Sequence, residues 1–255
     1  VRHARLLDLE RGIGYLSIHS FSRTTTAEFE QAFDELRESG MRSLVLDLRG
    51  NFGGVLSSAI DIAARFIPDG TLVSTEGQGP PEVYIADPKI ATLKGFPLVV
   101  LVDGNSASAS EVLAAALQDH RAGVVVGAPT YGKGLVQSIR RFPGRKTIAK
   151  VTSSYYYTPS HQNLERTLDE GRDYGILPDV EVALERAERN AIYGFLGGYS
   201  PPTRALTALL EWQAETEGEV IPRPPADAQL EAATALLQGN RPGPTRLSSE
   251  IDRDA

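Results

Sequence analysis

VVVGAPTYGKGLVQSIRRF, residues 124–142, admits two incompatible readings, and the choice between them sets the fold. Gly127, Gly132 and Lys133 stand at the spacing of a G-x-x-x-x-G-K phosphate cradle, which would make the segment strand, loop and helix. A phosphate cradle needs a hydroxyl directly after its lysine to reach magnesium, and it must open a helix whose first amides face the phosphate. Here Gly134 follows Lys133, and LVQSIRRF has the composition of a strand. Both requirements fail, so the segment reads as strand, glycine turn, strand. Lys133 is then either a solvated charge in a turn or a group with another task, and the segments upstream favour a task.

Two earlier stretches share the pattern of an apolar strand running into a glycine turn and then a helix. SLVLDL (43–48) leads to RGNFGG and a helix over 55–67; PLVVLVD (97–103) leads to GNSASAS and a helix over 111–120. Before them come a strand over 13–21 and a helix over 26–39, with Thr26 as its N-cap, Phe29, Phe33 and Leu36 as its apolar stripe, and Gly40 as its stop. LVST (72–75) adds a strand. This alternation predicts an α/β layered fold with a mostly parallel sheet. LVQSIRRF and TIAKVTSSYYY, joined at Pro143–Gly144, predict an added antiparallel pair, and GILPDVEVAL (175–184) completes that half. Past residue 186 the composition shifts: GFLGGYSPP reads as a linker, 203–215 as an amphipathic helix with Leu206, Leu209 and Leu210 on one face, IPRPPADAQ as a second linker, and 228–239 as a short helix. Residues 240–255 read as disordered.

Ligands on open α/β sheets bind beyond the carboxyl ends of the strands. If the strands are parallel neighbours, the turns RGNFGG, GNSASAS and TYGKG meet on one rim. Ser106, Ser108 and Ser110 lie at the mouth of a helix. Ser108 and Glu111 match the S-x-x-E capping box, an ordinary structural role. A nucleophilic role also fits, because the amide of Ala109 and the helix dipole favour negative charge above the Ser108 hydroxyl. A serine needs a base, and lysine serves only as the neutral amine, which apolar burial favours. Gln137, four residues beyond Lys133 and on the same face of a continuous strand, could orient that amine without adding charge. Gly53 and Gly54 read equally as a turn requiring positive φ and as the source of a second oxyanion amide.

Together, LVLDLRGNFGG, LVVLVDGNSASASEVLAAALQD, VVVGAPTYGKGLVQ and GILPDVEV resemble the C-terminal processing, or tail-specific, proteases of serine peptidase family S41, over roughly residues 12–182. The resemblance implies a crotonase/ClpP-like layered α/β core with a mostly parallel sheet plus antiparallel strands, followed here by a C-terminal helical extension. It implies a serine endopeptidase acting on extended or C-terminal polypeptide segments, with Ser108 as nucleophile, Lys133 as general base, Gln137 in support and an oxyanion hole from Ala109 and Gly53 or Gly54. It implies neither metal nor cofactor, and it implies export to the periplasm or cell exterior. The protease core is expected over residues 1–185 and the extension and tail over 186–255. The PDZ domain usual before this core is not among these 255 residues. Phe52 replaces the family's proline in the glycine turn, and His161 stands where glycine is common.

Two other readings compete: a non-catalytic S41-like binding module, and a crotonase-type acyl-CoA enzyme, whose fold also places oxyanion amides in glycine turns. Composition narrows the partners. A net charge of −7 argues against nucleic acid or an anionic membrane. With no cysteine there is no disulfide, thiolate metal site or cysteine nucleophile. The four histidines are scattered without metal-ligand spacing. No apolar run reaches the roughly 18 residues of a membrane span, and the first dozen residues have no signal-peptide h-region. The leucine stripe of the extension reads as packing on the core, with homo-oligomer formation as the alternative.

Overall fold

The computed structural model describes residues 1, 3–77, 79–141, 148–166, 174–198 and 225–239. Its centre is a six-stranded sheet ordered β1-β2-β3-β6-β7-β10. The strands are β1 (His3–Asp8), β2 (Ile13–Ser17), β3 (Ser43–Asp47), β6 (Leu98–Val102), β7 (Val124–Gly127) and β10 (Val180–Glu181). All neighbouring pairs run parallel except β1 with β2. A second, antiparallel sheet of four strands is ordered β5-β4-β9-β8. It holds β4 (Thr71–Gly77), β5 (Glu82–Ile85), β8 (Leu135–Arg141) and β9 (Ile148–Tyr157). The mostly parallel sheet with added antiparallel strands is therefore present.

Every residue of β2, β3 and β6 is buried, as expected where both faces of a parallel sheet are covered. One face carries Leu16, Leu44, Leu46, Leu98, Val100 and Val102 and packs on α1 (Thr25–Glu38), α2 (Leu56–Phe66) and α3 (Ala109–Asp119). The opposite face carries Tyr15, Val45, Val99, Leu101 and Val126. It is covered by α4 (Arg186–Gly197), through Ile192 and Leu196, and by the following described helix, α5 (Ala228–Leu237), through Ala232 and Ala233. The C-terminal helices thus form the third layer of the sandwich.

Several boundaries differ from those predicted. α1 takes Thr24 as its N-cap instead of Thr26. α3 begins at Ala109, directly after Ser108, two residues earlier than its apolar run suggests. GFLG (194–197), predicted as linker, closes α4, because Ile192 and Leu196 recur at helical spacing toward the sheet. β1, whose apolar side chains pack on both faces of the sheet, and the four-residue β5 had no sequence signal strong enough to predict them. The 203–215 helix, the Pro143–Gly144 turn and the 240–255 tail lie outside the described residues. Among those described, no helix is long and apolar enough to cross a membrane.

Candidate active site

β3, β6 and β7 are parallel neighbours, so the turns after them share one rim. Main-chain bonds stitch these turns together. Ala107 N donates to Asn51 O (3.0 Å), and Tyr131 N donates to Ser106 O (3.1 Å). The three serines then separate by environment. Ser106 and Ser110 are each 0% exposed. Their hydroxyls donate to Leu48 O (2.9 Å) and Asn51 O (2.9 Å), tying the second turn to the first. Ser108 is only partly buried. Its φ of 58° and ψ of −115° place it in a region that side-chain-bearing residues rarely adopt. Such strain, roughly 1–3 kcal/mol, persists where the surroundings over-determine it and concentrates at functional sites.

Glu111 supplies much of that constraint. Its Oε2 accepts the amides of Ser108 (2.7 Å) and Lys133 (2.9 Å). Its Oε1 accepts the amide of Gly132 (2.6 Å) and the hydroxyl of Thr130 (2.6 Å). Two amides that share one oxygen cannot be farther apart than the sum of those bond lengths, so the Ser108 and Lys133 backbones are adjacent. Burial pushes the Glu111 carboxyl above the usual carboxylate range, against the downward pull of the Thr130 hydroxyl and the three amides. The S-x-x-E pattern marks this residue as a helix cap. Nothing in local spacing shows that the same carboxylate also holds the lysine turn. Thr130 Oγ1 also accepts Ile176 N (2.7 Å), which brings GILP against the carboxylate.

The glycine turn also lies against Ser108. A Cβ on Gly53 would fall 2.6 Å from Ala107 O, 2.9 Å from Ser108 Cβ and 3.0 Å from Ala109 N. The Gly53 amide already donates to Asn51 Oδ1 (2.8 Å). Gly54 makes a parallel bridge to Phe21 through its neighbours, by Phe21 N to Gly53 O (3.0 Å) and Val55 N to Phe21 O (2.8 Å). Bridge geometry turns the Gly54 amide itself away from Phe21. Among the described residues the amides of Gly54 and Ala109 have no acceptor.

Lys133 differs most from its predicted setting. Its side chain is exposed, not lodged among apolar groups. Among the described residues no hydrogen bond joins it to Ser108. Gln137 is also exposed. The same-face argument for it fails, because β8 begins only at Leu135 and a bulge falls between Val136 and Gln137. Phe52, between Asn51 and Gly53, is 67% exposed at the rim, and Tyr131 is 49% exposed.

The profile of peptidase family S41 matches residues 12–182, which contain all three turns.

The chain belongs to peptidase family S41. It is 34% identical over 242 residues to the carboxy-terminal-processing protease of Bartonella bacilliformis, covering 91% of this chain and 53% of that protein. It is 41% identical over 173 residues to the carboxyl-terminal-processing protease of a Synechocystis species, covering 68% of this chain and 38% of the relative. Among solved structures it resembles the photosystem II D1 C-terminal processing protease, with a TM-score of 0.59 and 35% identity over 71% of this chain and 43% of that one. The chain thus spans about half the length of these relatives, or less.

Within this S41 core the glycine turn gives a direct test of the packing. Gly53 has φ +94°, and its absent Cβ would meet backbone that cannot rotate aside. Gly53→Ala is expected to cost at least about 1–3 kcal/mol from strain alone, measured as a lowered urea midpoint. An unchanged midpoint would mean that the turn does not sit against Ser108 as described.

Proposed function

We propose that this S41 chain carries the catalytic core of a serine endopeptidase that cleaves extended polypeptide segments through a Ser108–Lys133 pair. Neutral Lys133 takes the Ser108 proton as Oγ attacks the peptide carbonyl. The amides of Ala109 and Gly54 hold the oxyanion, since that of Gly53 is committed to Asn51. The C–N bond breaks, and the protonated Lys133 gives its proton to the leaving amine. Water then attacks the acyl-enzyme, with Lys133 again taking a proton, and Ser108 is restored as the acid product leaves. The observation that carries this reading is the environment of Ser108. Of the three serines it alone is partly exposed, it sits at a strained elbow, and one carboxylate fixes it beside Lys133.

The exposed amine must swing over Ser108 for the reaction. A peptide laid across the rim would strip water from it and so favour the neutral form, and catalytic hydrogen bonds commonly tighten only when substrate is bound. Gln137 is assigned the supporting role by resemblance. The location of the reaction outside the cytoplasm rests on the same footing.

The test is digestion of an unstructured peptide, together with labelling by a fluorophosphonate. Cleavage with label on Ser108 is expected; neither event would leave the binding-module reading in its place. Lys133→Arg, whose guanidinium stays protonated, is expected to lose on the order of a hundredfold or more in kcat. A fully active Lys133→Arg would remove Lys133 as the base.

A further inference from the structure

The turn RGNFGG is held by residues of both α4 and α5. Arg49, its first residue, is 4% exposed. Its guanidinium contacts Asp47 within β3, with Nη2 to Oδ2 at 2.7 Å. It also makes a two-armed contact with Asp227, the N-cap of α5. Nη1 donates to Asp227 Oδ1 (2.9 Å) and Nη2 to Asp227 Oδ2 (2.7 Å), and Nη1 reaches Gln229 Oε1 (3.1 Å). Tyr15 donates its hydroxyl to Asp47 Oδ2 (2.7 Å), so the cluster is closed on the β2 side.

The next residue, Gly50, is held by α4. Its amide donates to Asp103 Oδ1 (3.0 Å), and the same carboxylate accepts the hydroxyl of Tyr193 on Oδ2. Asn105 Nδ2 donates to the Tyr193 oxygen (2.9 Å). Gly50 has φ +68°, and a Cβ there would stand 3.2 Å from the Tyr193 ring. Asp103 and Asn105 open the serine turn, so Tyr193 bears on two of the three turns at once. From Gly50 the chain passes to Asn51, whose side chain fixes Gly53 N and whose carbonyl holds Ala107 and Ser110.

We propose that α4 and α5 buttress the oxyanion turn, with Tyr193, Asp227 and Gln229 as positioning residues that hold Arg49 and Gly50 and, through Asn51, the donors beside Ser108. None of the three touches the reacting atoms. The catalytic consequence rests on the protease reading above; the mechanical coupling does not. A rigid charged fork and a half-buried hydroxyl–carboxylate contact suit this task, because oxyanion stabilisation depends on donors fixed before charge develops.

The two tests are Asp227→Asn and Tyr193→Phe in the full chain. Asn at 227 keeps an oxygen for the Leu230 amide it caps (3.0 Å) and loses one charged arm to Arg49. Phe at 193 keeps the ring against Gly50. Amide hydrogen exchange should accelerate by about tenfold or more within residues 48–55 in each variant, local opening being independent of global unfolding, while exchange in α1 stays as in wild type. Where the wild type cleaves peptide, kcat should fall by about ten- to a hundredfold with KM within about twofold. Exchange in 48–55 unchanged in both variants overturns the buttress, whatever the activity. Accelerated exchange in a protein that cleaves nothing supports the coupling and removes the protease reading instead.

Discussion

Ser108→Ala is expected to reduce peptide cleavage by at least about 10⁴-fold and to abolish fluorophosphonate labelling, while leaving the fold in place. The activity loss is large because the proposed nucleophile is removed outright, and no neighbouring hydroxyl can replace it. Ser106 and Ser110 are fully buried, with their hydroxyls donated to main-chain carbonyls of the glycine turn. The stability effect is modest because most contacts that hold this residue are made by its backbone, and the side chain adds only its cap on the Glu111 amide, worth about 0.5–2 kcal/mol. Its amide donates to Glu111, and its carbonyl accepts Val112 N (3.0 Å). Alanine keeps both and keeps the strained φ. Circular dichroism and a thermal scan beside the cleavage assay separate the two effects. Retained cleavage with normal folding would place the nucleophile elsewhere on the chain.

The second large effect is expected at Glu111, with a substitution that looks conservative. Glu111→Gln preserves shape, yet all four bonds to this side chain come from donors: two amides on one oxygen, an amide and a hydroxyl on the other. An ionised carboxylate has only acceptors to offer them. A glutamine must turn its NH₂ toward one pair: toward Ser108 and Lys133 it sets N–H against two amides, and toward Gly132 and Thr130 it sets N–H against one amide while the hydroxyl turns to accept. Each amide so left unsatisfied costs roughly 1–3 kcal/mol. The opened pair also frees either the Ser108 and Lys133 turns from one another or the lysine turn from Thr130. The expected result is a fall in kcat on the order of a hundredfold or more, with a clear drop in urea midpoint. Glu111→Asp retains the charge but is shorter, and should fall between Gln and wild type. A Gln variant with wild-type stability and kcat would show that the carboxylate fixes nothing.

Little of this second argument could be drawn from spacing. Glu111 is legible as the end of a capping box because its partner lies three residues away on the same helix. Its grip on Gly132 crosses 21 residues and two elements. Arg49 read only as the start of a glycine turn, and its main partner lies 178 residues on, in a stretch that read as a linker before a short helix. Lys133 and Gln137 were matched by an even spacing that presumes an unbroken strand, and the bulge at Val136 removes that premise. Of the two turn glycines, spacing gave no preference. The commitment of the Gly53 amide to Asn51 gives one.

The amino-acid order alone determined the buried strands of the parallel sheet, helices α1 to α3 and the three glycine turns, because apolar periodicity and turn chemistry act over a few residues; β1, β5 and α4 carried no such signal. It thereby also determined which serine, lysine and glycines stand at strand ends. The tertiary structure decided which buried and half-buried polar groups satisfy one another: Glu111 with the lysine turn, Arg49 with Asp227, Tyr193 with Asp103. It also decided that the C-terminal helices cover the second face of the sheet. A buried donor must find an acceptor wherever the packed layers bring one within about 3 Å, and that meeting depends on how the elements are stacked, which no local pattern records.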